Sequence, residues 1–346
     1  MKVQTRVNRL SLKVLTGIRG LSKGQLISYA VLLVILIALF TLPNWGGSYI
    51  VLLVRLMCLY ITLGHMWNLL AGYAGLVSLG QQMYIGLGAF SVAIAAENFG
   101  LPFIPALVFG GLVSMVVSIG LSYLLLRMKG MYFSIATWML AEAMMLFLSS
   151  MAYFGRGQGL FIVKARAITE HMYYYSAALI IIAMIVVVIV LRSKLGLGLF
   201  AIRDNDNASA TCGVPQFKSK LYCMMISSFV TGVCGGVFYM TNVWVQPIAA
   251  FSINWTVAAV FIVVIGGIGT VAGPIIGGII FVFLSQYLAT LSQIGSLNMV
   301  ILGVIAVAVI LLAPSGIVGT LEKKLGFEVF SSRRKWIKDI NHAAEK

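Results

Sequence analysis

Apolar and polar positions along this chain are sorted into long blocks rather than interleaved. Apolar blocks fall at Leu26–Leu42, Tyr49–Leu70, Gln82–Ala96, Phe103–Leu126, Met131–Ala152, Tyr173–Leu191, Leu221–Met240, Val257–Ile268, Val271–Leu288 and Asn298–Leu312. Most approach the ~20 residues an α-helix needs to cross the hydrocarbon core of a bilayer. A transmembrane β-barrel would instead alternate in segments of ~10 residues, and no such alternation is present. The pattern predicts an all-α, polytopic helical membrane protein with about ten spans; eight result if Val257–Leu288 crosses only once.

Arg192–Lys220 interrupts this pattern. The segment is a polar island between two apolar blocks and carries seven ionised side chains (Arg192, Lys194, Arg203, Asp204, Asp206, Lys218 and Lys220). Asp204, Asn205 and Asp206 are helix-start residues, and acidic groups favour a first turn. Ala208, Ser209 and Ala210 can continue the helix, and Gly213 and Pro215 end it. The spacing predicts a surface helix of about two turns over Asp204–Thr211, suited to docking on a partner; an ordinary polar loop is the plainer alternative.

Composition and charge fix the class and orientation. Hydrophobic residues make up 61% and charged residues 10% of the chain, and mean hydropathy is +1.03, whereas a soluble domain carries about 25% charged residues. The net charge of +15 is clustered before the first span, at Arg127 and Lys129, in the island and in the tail after Lys323. The positive-inside rule accounts for these clusters without nucleic acid. It places the island and both termini in the cytoplasm, a parity that ten or eight spans satisfy. Three regions follow: a basic amino-terminal segment at 1–25, a transmembrane domain at 26–316 with its cytoplasmic loop at 192–220, and a basic tail at 317–346. The amino-terminal segment reads either as an interfacial helix against membrane lipid or as a basic tail. Cys58, Cys212, Cys223 and Cys234 have no CxxC spacing, so neither a disulfide framework nor a metal site is indicated.

Three ionisable residues fall inside spans. Glu142 lies about 16 Å into its helix, near the bilayer centre, where a carboxylate needs a partner or a wet path. His65 and Arg55 share the second span. These residues suit either the lining of a translocation path or structural hydrogen bonds. Gly266, Gly267 and Gly269, followed by Gly273 and Pro274, interrupt a helix at membrane depth. Such a break is tolerated only where protein covers the backbone or a cavity adjoins it. Gly269–Gly273–Gly277 and Gly232–Gly236 also have the spacing of close helix contacts. A second glycine-rich turn, through Gly72, Gly75 and Gly80, hints at an internal duplication.

No GxxxxGK[ST] loop, HExxH, GxSxG or loop pair of carboxylates occurs. LSKGQ at 21–25 resembles a transport-ATPase signature, but no nucleotide-binding domain surrounds it. The reading is a transport subunit without an ATPase site or cofactor of its own, and not an enzyme. A stand-alone secondary carrier or channel is the alternative, although Glu142 is the only carboxylate available to drive one.

Four motifs carry a family resemblance. They are NLLAGYAGLVSLGQQMYIGLGAF (68–90), RMKGMYFSIATWMLAEAMML (127–146), GLGLFAIRDNDNASATCGVPQFKSK (196–220) and VIGGIGTVAGPIIGG (264–278). In this order and spacing they resemble the permease subunits of bacterial branched-chain amino acid ABC importers, in particular the LivM-type half. The resemblance implies a type II ABC importer-like fold in the bacterial cytoplasmic (inner) membrane. It also implies a homologous LivH-type permease, two cytoplasmic ATPases holding ATP and Mg, and a periplasmic substrate-binding protein. Arg203, Asp204, Asn205, Ala208 and Gly213 match the family's ATPase-coupling segment. Departures occur at Leu197-Gly-Leu199, at Gln81 and at Gly155-Arg-Gly-Gln-Gly159. In the last of these, Arg156, Gly157 and Gly159 are expected at the periplasmic mouth of the path, with Arg156 either attracting a substrate carboxylate or serving as a solvated loop charge. The same architecture serves urea, short amides and aromatic acids, so the solute stays open.

Overall fold

The computed structural model describes residues 39–162, 171–242, 244–290, 298–312 and 316–325. It divides into two units, residues 1–51 and 52–346. Most of the apolar block Leu26–Leu42, the basic amino-terminal segment and most of the basic tail lie outside the described residues. In the first unit, residues 39–45 are helical.

In the second unit apolar blocks become helices. These are α1 (Ser48–Asn68, which begins in the first unit), α2 (Gln81–Glu97), α3 (Phe103–Leu125), α4 (Met131–Ser150), α5 (Met172–Arg192), α6 (Lys194–Asp204), α7 (Asp206–Thr211), α8 (Gln216–Asn242), α9 (Pro247–Ala250), α10 (Asn254–Gly266), α11 (Gly273–Thr290), α12 (Asn298–Leu312) and α13 (Gly316–Leu325). Six helical stretches among the described residues are long and apolar enough to cross a membrane, and Gly273–Leu288 is a shorter apolar one. The chain is therefore a polytopic helical membrane protein. One pair of short strands, β1 (Leu160–Phe161) and β2 (Trp244–Val245), joins antiparallel, an addition to the all-α expectation.

Helices α2, α3 and α8 pack against one another by way of missing side chains. A Cβ on Gly88 would lie 1.9 Å from the carbonyl oxygen of Gly232, and one on Gly235 would lie 2.2 Å from that of Ile85. Ser114 Oγ fills the same seam and donates to the carbonyl of Tyr84 at 3.2 Å. Small residues here let backbones approach, which drives association where lipid and side chain are equally apolar. Gly232 and Gly236 thus act in packing, as their spacing predicts. Gly273 and Gly277 do the same between α10 and α11, where a Cβ on Gly277 would lie 1.9 Å from Ile262 O. Gly269 is not part of that helical stripe: it lies between the two helices with φ +76°.

Helical structure is interrupted between α1 and α2 and again between α10 and α11. Helix α1 widens into a π-helical turn, Leu69–Tyr73, and the chain returns alongside it before α2 starts. Trp67 Nε1 donates to Ser78 O at 2.8 Å and Leu79 N donates to Thr137 Oγ1 at 3.0 Å, so these two peptide groups outside the helices find protein partners. Helix α10 stops at Gly267, whose φ of +129° no L side chain adopts readily. Thr270 Oγ1 then accepts from Gly273 N at 3.0 Å and starts α11.

Candidate functional site: a joined pair of helix breaks and the polar segment beneath them

The two breaks are bonded to each other. Asn68, fully buried at the end of α1, uses its whole amide across the gap. Its Nδ2 donates to Thr270 O at 2.9 Å, and its Oδ1 accepts from Gly269 N at 2.8 Å. Gly72 makes room: a Cβ there would lie 2.1 Å from Asn68 Oδ1 and 2.7 Å from Gly269 N.

The polar segment reaches the same point. Arg203, at the end of α6, donates from Nη1 to Gly72 O at 2.8 Å. Its guanidinium lies 5.6 Å from the ring centroid of Phe200, which meets Tyr73 edge-on at 5.7 Å. Gly269 lies so close that a Cβ would be 3.1 Å from Arg203 Nη1. A π-turn carbonyl freed from the regular helical ladder thus receives a charge-assisted hydrogen bond, stronger than a neutral one. Asp204 pairs with Arg203 at 3.3 Å.

The segment contains two helices where one was expected. Ser193 Oγ accepts from Gly196 N at 3.4 Å and starts α6. Asn205, in extended conformation, caps α7 by accepting from Ala208 N at 3.1 Å. Ala208 O then accepts from Thr211 Oγ1 at 2.8 Å, and Gly213 ends the segment with φ +78°. Asn207, Ala208, Ala210 and Thr211 remain exposed. The opposite side is clamped. Asp206 pairs with Lys220 of α8 at 2.9 Å and with Lys129 of the α3–α4 loop at 3.6 Å. Gln216 Nε2 donates to Asp206 O, and to Ser209 Oγ at 2.8 Å. The short helix therefore presents one free face and is anchored by the other to α8 and the α3–α4 loop.

The remaining candidates lie apart from this cluster. His65 is fully buried on α1, with no hydrogen-bond partner for either ring nitrogen among the described residues. Glu142 is half-buried on α4 and accepts from Trp138 Nε1 at 3.3 Å. Gly266 belongs to the α10–α11 contact, where a Cβ would lie 1.9 Å from Gly273 O. Gly157 and Gly159 both have φ +92°; a Cβ on Gly159 would lie 2.3 Å from Val245 O, so that glycine serves the β1–β2 contact. The side chain of Arg156 lies outside the described residues. No cluster of His, Cys, Asp or Glu able to hold a metal occurs among the described residues. Asn68, Gly72 and Thr270 were missed as site residues. An asparagine inside an apolar run was the available signal, because a polar group there needs a partner.

The arrangement is that of a polytopic membrane protein with two interrupted helix pairs and a polar surface segment wired to the interruption. The chain belongs to the branched-chain amino acid transport system / permease component family, whose model matches residues 49–310. It is similar to the high-affinity branched-chain amino acid transport system permease protein LivM of Salmonella typhimurium, 25% identical over 88% of this chain and 77% of the relative. LivM of Escherichia coli is 24% identical over the same shares. A probable branched-chain amino acid transport permease protein LivH of Methanocaldococcus jannaschii is 30% identical over 39% of this chain and 44% of that protein. No solved structure matches the chain.

Proposed function

We propose that this chain is one permease subunit of an ATP-driven importer for branched-chain or related small amino acids. In this reading a LivH-type permease completes the path, two cytoplasmic ATPases supply the energy and a binding protein delivers the solute. The exposed face of α7 would seat on an ATPase. The observation that carries the mechanism is the bond from Arg203 to Gly72 O. A rigid-body shift of α6 and α7 would be felt at the π-turn and, through Asn68, at the break between α10 and α11. ATP-driven motion of a partner would thereby tilt broken helices, which bend at lower cost than continuous ones.

The test is uptake of labelled leucine into proteoliposomes holding this chain with its partner permease and ATPases. Arg203→Ala is expected to leave assembly intact, cut ATP-driven uptake at least about tenfold and leave ATP hydrolysis running. Normal uptake by this variant would sink the coupling route. Uptake by the chain alone, without ATP, would point to a stand-alone carrier instead.

A further inference from the structure

Helix α4 has one face fixed and one face bare. Phe133, Ser134, Thr137, Ala141 and Leu148 are buried, and Ser134 Oγ donates to Val77 O at 2.6 Å. On the opposite face Tyr132 is 78% exposed, Ile135 42%, Met139 65% and Leu146 63%. With Glu142 these residues fall at alternating steps of three and four along the helix. That spacing keeps a stripe facing a neighbouring helix over several turns. Of the six candidate spans α4 is the least covered, 22% of its apolar window being buried against 33% to 61% in the others.

An apolar stripe of this kind could face lipid, but Glu142 argues against that occupant. It sits about 16 Å into the helix, in the middle of the stripe, and the hydrogen bond that it receives comes from Trp138 of its own helix. A carboxylate at that depth is costly against hydrocarbon and is expected to face protein or a wet path. In the middle of the chain's own apolar run Leu26–Leu42 no group answers Glu142, because Val31–Leu39 is wholly apolar and Ser28, Tyr29 and Thr41 lie towards its ends. A second copy crossing at this point about a two-fold axis would set one Glu142 against another, and like charges at membrane depth repel.

We propose that the Tyr132–Ile135–Met139–Glu142–Leu146 stripe is the seam with a different, homologous permease chain, which places a hydrogen-bond donor or a cation opposite Glu142. The proposal rests on the reading of this chain as half of a paired permease. It assigns Glu142 to the boundary between the two subunits, where solute would pass.

A photo-crosslinking amino acid placed at Met139, and separately at Leu146, tests the seam in the complex co-expressed with its sister permease; Ile189 on α5, 61% exposed, serves as the control. Adducts to the sister permease from the two α4 positions and not from Ile189 are expected. Glu142→Leu is expected to lower recovery of the pair at least about tenfold, with Glu142→Gln closer to the parent. Adducts within the chain or to a second copy overturn the proposal. So does the absence of protein adducts at Met139 and Leu146 while the pair copurifies, and so does undiminished recovery of the pair with Glu142→Leu. Failure of the unmodified chains to copurify counts instead against the paired-permease reading.

Discussion

The two helix breaks are held open by different physics. In the first, Leu69–Gly80, the backbone is supported from outside: Trp67, Thr137 and Arg203 bond its peptide groups. Glycine matters there because Asn68 needs the volume above Gly72. In the second, between α10 and α11, the support is partly local, from Thr270. Gly267 and Gly269 matter because their φ values are positive. A side chain at Gly72 collides with a neighbouring bond, whereas one at Gly267 or Gly269 strains its own backbone. Steric exclusion at a buried hydrogen bond should therefore cost more than a left-handed φ.

Three substitutions break or sharpen that contrast, each read as thermal stability of the purified complex in detergent. Gly72→Ala should have the largest effect, because its Cβ displaces Asn68 and orphans groups on both sides; the sum is about 3–5 kcal/mol, enough to lose most folded material. Asn68→Ala removes the two bonds without a clash and should cost about 2–4 kcal/mol. Gly269→Ala should cost least, about 1–2 kcal/mol for a non-glycine residue at that φ, with a drop of a few degrees in Tm. A reversed order, with Gly269→Ala worse than Gly72→Ala, would show that backbone conformation and not space governs both breaks.

Local signals were legible in the sequence and long-range ones were not. Asn205 and Gly213 mark α7 because capping and left-handed φ are chosen by the residues themselves. Glycine density announced both breaks as well. Helix α6 was hidden: Gly196 and Gly198 lower helix propensity, and Ser193 is a modest cap signal in a polar stretch. The bond between Asn68 and Thr270 spans 202 positions, and no spacing rule reaches so far. A role for Arg203 enters the sequence reading only as a match to the family's coupling segment. The structure adds a bond from its Nη1 to Gly72 O, 131 positions away, while the residue stays exposed. Family motifs identified the class, as the match over residues 49–310 bears out, while the wiring within the site came only from the fold.

The packing of α2 against α8 has a consequence for biogenesis. Gln81 of α2 meets Ser227 of α8 across 146 positions of sequence. At ~5–20 residues per second of synthesis, α2 leaves the ribosome on the order of ten seconds before its partner exists. During that interval the glycine surface and the buried glutamines at the start of α2 have no permanent neighbour. The nascent segment must wait at the insertion machinery, or be shielded there, until α8 arrives for Gln81 and α10 brings Thr256 to Gln82.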